Sequence, residues 1–233
     1  MDTKVAVLLD GGFYLKRLPH IRRDIDATNP QAVAASIGQL IDGHLRQINE
    51  VYLYPNHERL LYRCFFYDAW PYDKKAHLPI SNRAIDYSRS EQAQFRNELL
   101  ELLKGEQNLA LRMGEVTRPG SASWVLKEGT QKRLLKGEIL VSDLTDSDVN
   151  ANLRQKGVDM RIGLDIASLT LKKLVSIIVL VSGDSDFVPA ARLARREGAT
   201  VILDPLRQEV ADDLWEHVDQ FKHGFDSRKP QPV

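Results

Sequence analysis

The run VAVLL, Val5–Leu9, is apolar without interruption and gives way at once to Asp10, Gly11 and Gly12. An unbroken run of that length predicts a strand covered on both faces, because a half-exposed strand would alternate apolar and polar positions. From Pro30 the pattern changes to a helical one, with Val33, Ile37, Leu40, Ile41, Leu45 and Ile48 recurring at three- and four-residue steps. LLYRCFFY (60–67) reads as a second strand. Phe95, Leu99, Leu102 and Leu103 predict a helix over about 91–104, followed by a strand near 108–115.

Residues 116–150 carry no such rhythm. They hold Pro119, several glycines, a short strand signal at Trp124 and Val125, and the basic residues Lys127, Lys132, Arg133 and Lys136. They read as an irregular insertion, the kind of long excursion that tends to serve function. The final third is regular again. Val158, Ile162, Ile166 and Leu169 mark a helix over about 158–173, and LVSIIVLVS (174–182) a buried strand. FVPAARLARREG (187–198) is a helix with Pro189 in its first turn and Gly198 as its stop. ATVIL (199–203) is a further strand, and Val210, Leu214, Val218 and Phe221 predict a closing helix. Strands alternating with helices imply an α/β fold with a parallel sheet and helices on both faces. One domain over residues 1–225 is expected, with the tail 226–233 disordered.

Charge narrows the possible partners. Thirty-two basic and thirty-two acidic side chains cancel, so binding of nucleic acid through overall positive charge is excluded and any such site must be a local patch. The single cysteine, Cys64, lies inside an apolar strand and reads as a small buried hydrophobe, with no cysteine and histidine spacing suited to zinc. MDTKVAVLLD turns acidic too soon for a signal peptide or a membrane span, so a cytoplasmic location is expected, with no membrane partner. A homo-oligomer is compatible with the sequence.

The acidic residues fall in a pattern. Ligands of an open parallel sheet bind in the crevice at the carboxyl ends of its strands. Asp10 ends the first strand, and Asp184 and Asp186 follow the strand ending at Ser182. A helix feeding that strand runs antiparallel to it, which sets its first turn, with Asp159, at the same edge. Asp165 lies roughly 9 Å further along the helix and reads as an i,i+4 partner of Arg161. Asp68 reaches the crevice if the second strand is parallel and central. Each acid also has a local reading: Asp184 or Ser185 as a cap, Asp159 as a first-turn dipole complement, Asp10 as a turn residue before Gly11–Gly12. None of these explains the shared edge. Two carboxylates about 4 Å apart repel by roughly 4 kcal/mol at an effective dielectric near 20, and a hard divalent cation removes that repulsion.

LLDGGF (8–13), QKGVDMRIGLDIA (155–167) and VSGDSDFVPAARLARREGATVIL (181–203) resemble the three signature blocks of the NYN domain, in its LabA-like bacterial branch of the PIN-like nuclease superfamily. The resemblance implies a PIN-like, Rossmannoid three-layer sandwich and a ribonuclease dependent on Mg2+ or Mn2+. Its metal ligands would be Asp10, Asp159, Asp184 and Asp186. Lys156 would neutralise a phosphate, and Ser182 and Gly183 would shape the loop. RNA, single-stranded or structured, would be the partner. Lys127, Lys132, Arg133 and Lys136 with Trp124, and a second group of Trp70, Tyr72, Lys74 and Lys75, are the candidates to touch it. Where many NYN domains carry an asparagine after the first aspartate, this chain has Gly-Gly-Phe-Tyr, which leaves open a catalytically weak or inactive RNA-binding or regulatory module. A haloacid-dehalogenase-like phosphatase would need a second aspartate where Gly12 stands.

Overall fold

The computed structural model describes residues 3–120 and 123–225, and these fall into two compact units. The first holds residues 1–68, 98–113 and 157–233, and the second holds 69–97 and 114–156. The expected disordered tail, 226–233, lies outside the described residues.

The first unit is an α/β sheet structure. Strand β1 (Val5–Asp10) leads into helix α1 (Gly11–Ile21), and α2 (Pro30–Tyr52) follows with Asn29 capping its first turn. Strand β2 (Leu61–Ala69) lies beside β1, parallel to it, with Asp10 opposite Tyr67. Val5, Ala6, Val7, Leu8 and Leu9 are wholly buried, the covering on both faces that their unbroken apolar run requires. Helix α1 stands where the sequence suggested only a turn at Gly11–Gly12. Gly11 is there for close approach: a Cβ on it would lie 2.5 Å from the Phe66 ring and 2.7 Å from the Tyr67 carbonyl oxygen.

Further along the chain come the hairpin strands β3 (Lys75–His77) and β4 (Ala84–Asp86), helix α3 (Glu91–Lys104) and strand β5 (Leu109–Thr117). The stretch expected to be irregular contains strand β6 (Trp124–Leu126), helix α4 (Glu128–Leu135) and strand β7 (Val149–Ala151), with β6 and β7 paired antiparallel. In the second unit β8 (Arg154–Lys156) pairs antiparallel with the distal end of β5.

Helix α5 (Val158–Leu171), strand β9 (Ile177–Val181), helix α6 (Val188–Arg196) and strand β10 (Thr200–Asp204) then return the chain to the first unit, as their periodicity predicted. The closing helix is shorter than expected. Helix α7 covers only Asp212–Glu216, and Phe221 falls in strand β11 (Gln220–Phe221), parallel to β10. Asp219 ends the helical course, because its carboxylate accepts from the Val201 amide at 2.8 Å and from Arg195 at 2.8 Å. The Trp215 ring stacks on Phe221 at 3.8 Å.

The strand order in the first unit is β11-β10-β9-β1-β2-β5, flanked by helices, with β11 through β2 all parallel. Its topology fixes where a ligand goes. From β1 the chain passes to β2 on one side and later fills β9 on the other, so the strand order reverses beside β1. That reversal opens a crevice at the carboxyl ends of β1 and β9. Among the described residues, no helix is long and apolar enough to cross a membrane.

Candidate active site

Asp10 is the last residue of β1 and the N-cap of α1, its Oδ1 accepting from the Phe13 amide at 3.0 Å. The loop after β9 meets it from the other side of the crevice: a Cβ on Gly183 would lie 3.1 Å from the Phe13 ring and 2.9 Å from Gln208. Ser182 is fully buried in that loop, and its Oγ accepts from the Asp184 amide at 3.3 Å. Asp184 caps the short 3-10 turn Ser185–Phe187 by accepting from the Asp186 amide at 2.9 Å. Asp159 stands in the first turn of α5, entered through Gly157 at φ 77°, a left-handed conformation that glycine adopts freely. The local capping roles of Asp10 and Asp184 are therefore real, each using one carboxylate oxygen.

The acids also feel one another's charge at that edge. Burial pushes the Asp10 carboxyl up to about 6; the Phe13 amide opposes this, and the charges of Asp159 and Asp68 add to it. The Asp159 carboxyl is also raised, first by partial burial and then by the fields of Asp184 and Asp186. The charges of Asp68 on β2 and Asp159 on α5 thus bear on Asp10 at the end of β1, and those of Asp184 and Asp186 in the β9 loop bear on Asp159. Asp68 is 1% exposed, one residue past the partner of Asp10, and it enters the group because β2 is parallel and adjacent to β1. Asp159, Asp184 and Asp186 are exposed at the mouth. Among the described residues, no three acidic, histidine or cysteine side chains come together closely enough to hold a metal ion. The donor set is one of carboxylate oxygens open to water, which suits a hard cation that keeps part of its water shell.

Asp165 does not pair with Arg161, whose guanidinium donates instead to the Gly157 carbonyl at 2.8 Å. Asp165 Oδ2 accepts from the Tyr67 hydroxyl at 2.8 Å and from Arg112 Nε at 3.0 Å, so it ties α5 to β2 and β5. Arg112 also lies over the Phe65 ring, 5.1 Å from its centroid. No sequence spacing links these four residues, and only the sheet order makes them neighbours.

A second buried network escaped the sequence altogether. Asp204, at the end of β10, accepts from His44 Nε2 at 2.9 Å, the Gly224 amide at 2.9 Å and the Leu206 amide at 2.9 Å, with His223 Nδ1 at 3.2 Å. Burial alone would raise its carboxyl, but the bonds from His223, His44 and Gly224 together hold it well below the usual carboxylate range. The network packs α2 against the C-terminal chain and is structural.

The basic candidates lie in the second unit. Lys127 precedes α4, Lys132 is engaged by Glu128 at 2.6 Å, Arg133 sits in the last turn of α4, and Lys156 is exposed on β8.

Residues 125–223 match the family model of the NYN domain. The match takes in Lys156, Asp159, Ser182, Asp184 and Asp186 and leaves Asp10 and Asp68 outside. No curated protein matches the chain. Among solved structures, it is similar to a protein of unknown function from Vibrio parahaemolyticus, 16% identical, with a TM-score of 0.43 over 94% of this chain and 91% of that one. That likeness adds nothing to the reading of the site.

Proposed function

We propose that this chain is a metal-dependent ribonuclease of the LabA-like NYN type, hydrolysing RNA phosphodiester bonds at the acidic edge of its sheet with Mg2+ or Mn2+. One observation carries the reading: acidic residues from four separate elements, β1, β2, the first turn of α5 and the β9 loop, stand at the crevice beside β1, where the charges of Asp159 and Asp68 raise the Asp10 carboxyl and those of Asp184 and Asp186 raise Asp159. The NYN match over Asp159, Asp184 and Asp186 supports it. Asp10, Asp159, Asp184 and Asp186 would hold the ion, with Asp68 behind them. A bound divalent ion supplies Lewis acidity toward a phosphodiester oxygen and lowers the pKa of a water. The protein's own share is positional. Asp10 retains a proton below about pH 6 and offers a full negative charge above it, while the Phe13 amide fixes its Oδ1. The buried Ser182 holds the loop that aims Asp184 and Asp186.

The test is incubation of the purified protein with total RNA in magnesium, manganese or chelator, beside Asp10→Asn and Asp184→Asn. Cleavage that needs metal and vanishes in both variants is the expected result. Undiminished cleavage by either variant refutes the assignment. A second reading, a module that binds RNA or regulates without cutting, is favoured by the exposure of Asp159, Asp184 and Asp186 and by the finding that, among the described residues, no three candidate ligands are grouped closely enough to hold a metal ion. It predicts no cleavage in any metal and no thermal shift on magnesium titration.

A further inference from the structure

The two units divide the charge unequally. The second carries twelve basic and nine acidic side chains, and the first twenty and twenty-three, so a neutral chain consists of a positive part and a negative part. Within the positive unit lies a cleft of about 440 Å³, walled by Trp70, Pro71, Tyr72 and Lys74 on one segment and by Gly114–Arg118 on β5 and beyond. Clefts of roughly 300–1,000 Å³ are the usual size for a small organic ligand.

The wall is aromatic and held in place. Trp70 is 42% exposed. The Tyr72 ring meets Tyr87 edge-on, with centroids 5.2 Å apart, which fixes the plane of a half-buried ring. The Tyr87 amide donates to the Lys74 carbonyl at 3.4 Å and ties the segment down. Across the cleft, Arg118 lies over the Trp124 ring at 4.9 Å, a fixed positive charge. On β8, Arg154 stands opposite Thr117 and Lys156 opposite Glu115, so both basic side chains share a face with residues that line the cleft. Among the lining residues Asp73 and Glu115 balance Lys74 and Arg118, and the neighbouring strand β8 adds Arg154 and Lys156. Lys75, grouped with these by sequence, instead pairs with Asp86 in the β3–β4 hairpin and is not part of the wall.

Aromatic faces in a concavity rimmed by cations suit one nucleic-acid feature. A duplex keeps its bases stacked inside and offers a protein its phosphates and grooves, whereas an unpaired base can be turned out to stack on a side-chain ring. We propose that this cleft binds an unpaired RNA nucleotide, its base against Trp70 and Tyr72 and its flanking phosphates met by Lys74, Arg154 and Lys156. The proposal rests on the reading of RNA as the ligand and narrows it to single-stranded segments.

The test measures binding without cleavage: fluorescence anisotropy of a short labelled single-stranded RNA against the full chain in chelator. The wild type is compared with Trp70→Ala, Tyr72→Ala and Lys74→Glu, and with Trp215→Ala as a control elsewhere on the surface. Loss of one stacked base predicts about tenfold weaker binding for Trp70→Ala. Lys74 is exposed, so Lys74→Glu cannot fail through the core; it should weaken binding several-fold and flatten the dependence on salt. The same RNA annealed to its complement should bind more weakly than the single strand. Unchanged affinity in Trp70→Ala and Lys74→Glu, no binding by the wild type, or equal affinity for the duplex overturns the proposal. So does adenosine monophosphate binding as tightly as the strand, which would make the cleft a free-nucleotide pocket. A chain that binds through the cleft but cuts nothing in metal would keep this inference and remove the nuclease. A chain that cuts while all three cleft variants bind normally would do the reverse.

Discussion

Asp10→Asn separates a residue that merely caps a helix from one whose charge is opposed by burial and, after it, by neighbouring carboxylates. Asparagine keeps an acceptor for the Phe13 amide and removes only the charge. In the folded protein the Asp10 carboxyl is pushed up from 3.8 to about 6, by burial first and by Asp159 and Asp68 after it. A folded-state pKa above the unfolded value means that the folded protein binds the proton more tightly. The stabilisation from that proton is complete below about pH 4 and is lost as pH rises through about 6. A shift of about two units corresponds to ~3 kcal/mol, part of it screened by salt because Asp159 is exposed. Without metal, Asp10→Asn should therefore match the wild type near pH 4 and exceed it by up to ~3 kcal/mol at pH 8. Urea denaturation in chelator across that range measures the difference. A variant less stable than wild type at pH 8, or a gap that does not change with pH, would show that Asp10 is an ordinary cap. Added magnesium should narrow the gap by stabilising the wild type alone, in proportion to the logarithm of its concentration over the dissociation constant.

Other substitutions probe what holds the scaffold. Asp204→Asn breaks a pair whose two side chains are both fully buried and should cost ~3–5 kcal/mol at neutral pH. Because the Asp204 carboxyl is held low, its stabilisation is present above about pH 4 and lost as pH falls further; thermal melts should show the two proteins converging in acid. Gly43→Ala puts a Cβ 1.7 Å from the Gly224 carbonyl oxygen, a backbone atom that cannot swing aside, and should cost about 3 kcal/mol or more and expose residues 220–225 to protease. A variant melting with the wild type would contradict that packing. Tyr67→Phe leaves Asp165 with Arg112 and should cost about 1 kcal/mol in urea. A loss of several kcal/mol would mean that the hydroxyl supports more than this one bond.

Most of the elements are legible in the sequence alone. VAVLL, the 158–169 stripe and IIVLV declare strands and a helix because burial on both faces or along one stripe writes its period into the chain. The sequence also placed Asp10, Asp159, Asp184 and Asp186 at one edge, since a parallel α/β sheet leaves no other position for residues that end strands or begin the helices feeding them. What it could not express is which strands are neighbours. Asp68 joins the acidic group because β2 lies beside β1, and Asp165 turns to Tyr67 and Arg112 because β5 continues the sheet. The His44–Asp204–His223 network joins residues far apart in the chain, and the helix read through Phe221 ended early because Asp219 found partners on β10 and α6. Local periodicity reflects how each segment meets its own layer. Pairing between distant segments is settled by packing and hydrogen-bond satisfaction across the sheet, and that exists only once the chain has folded.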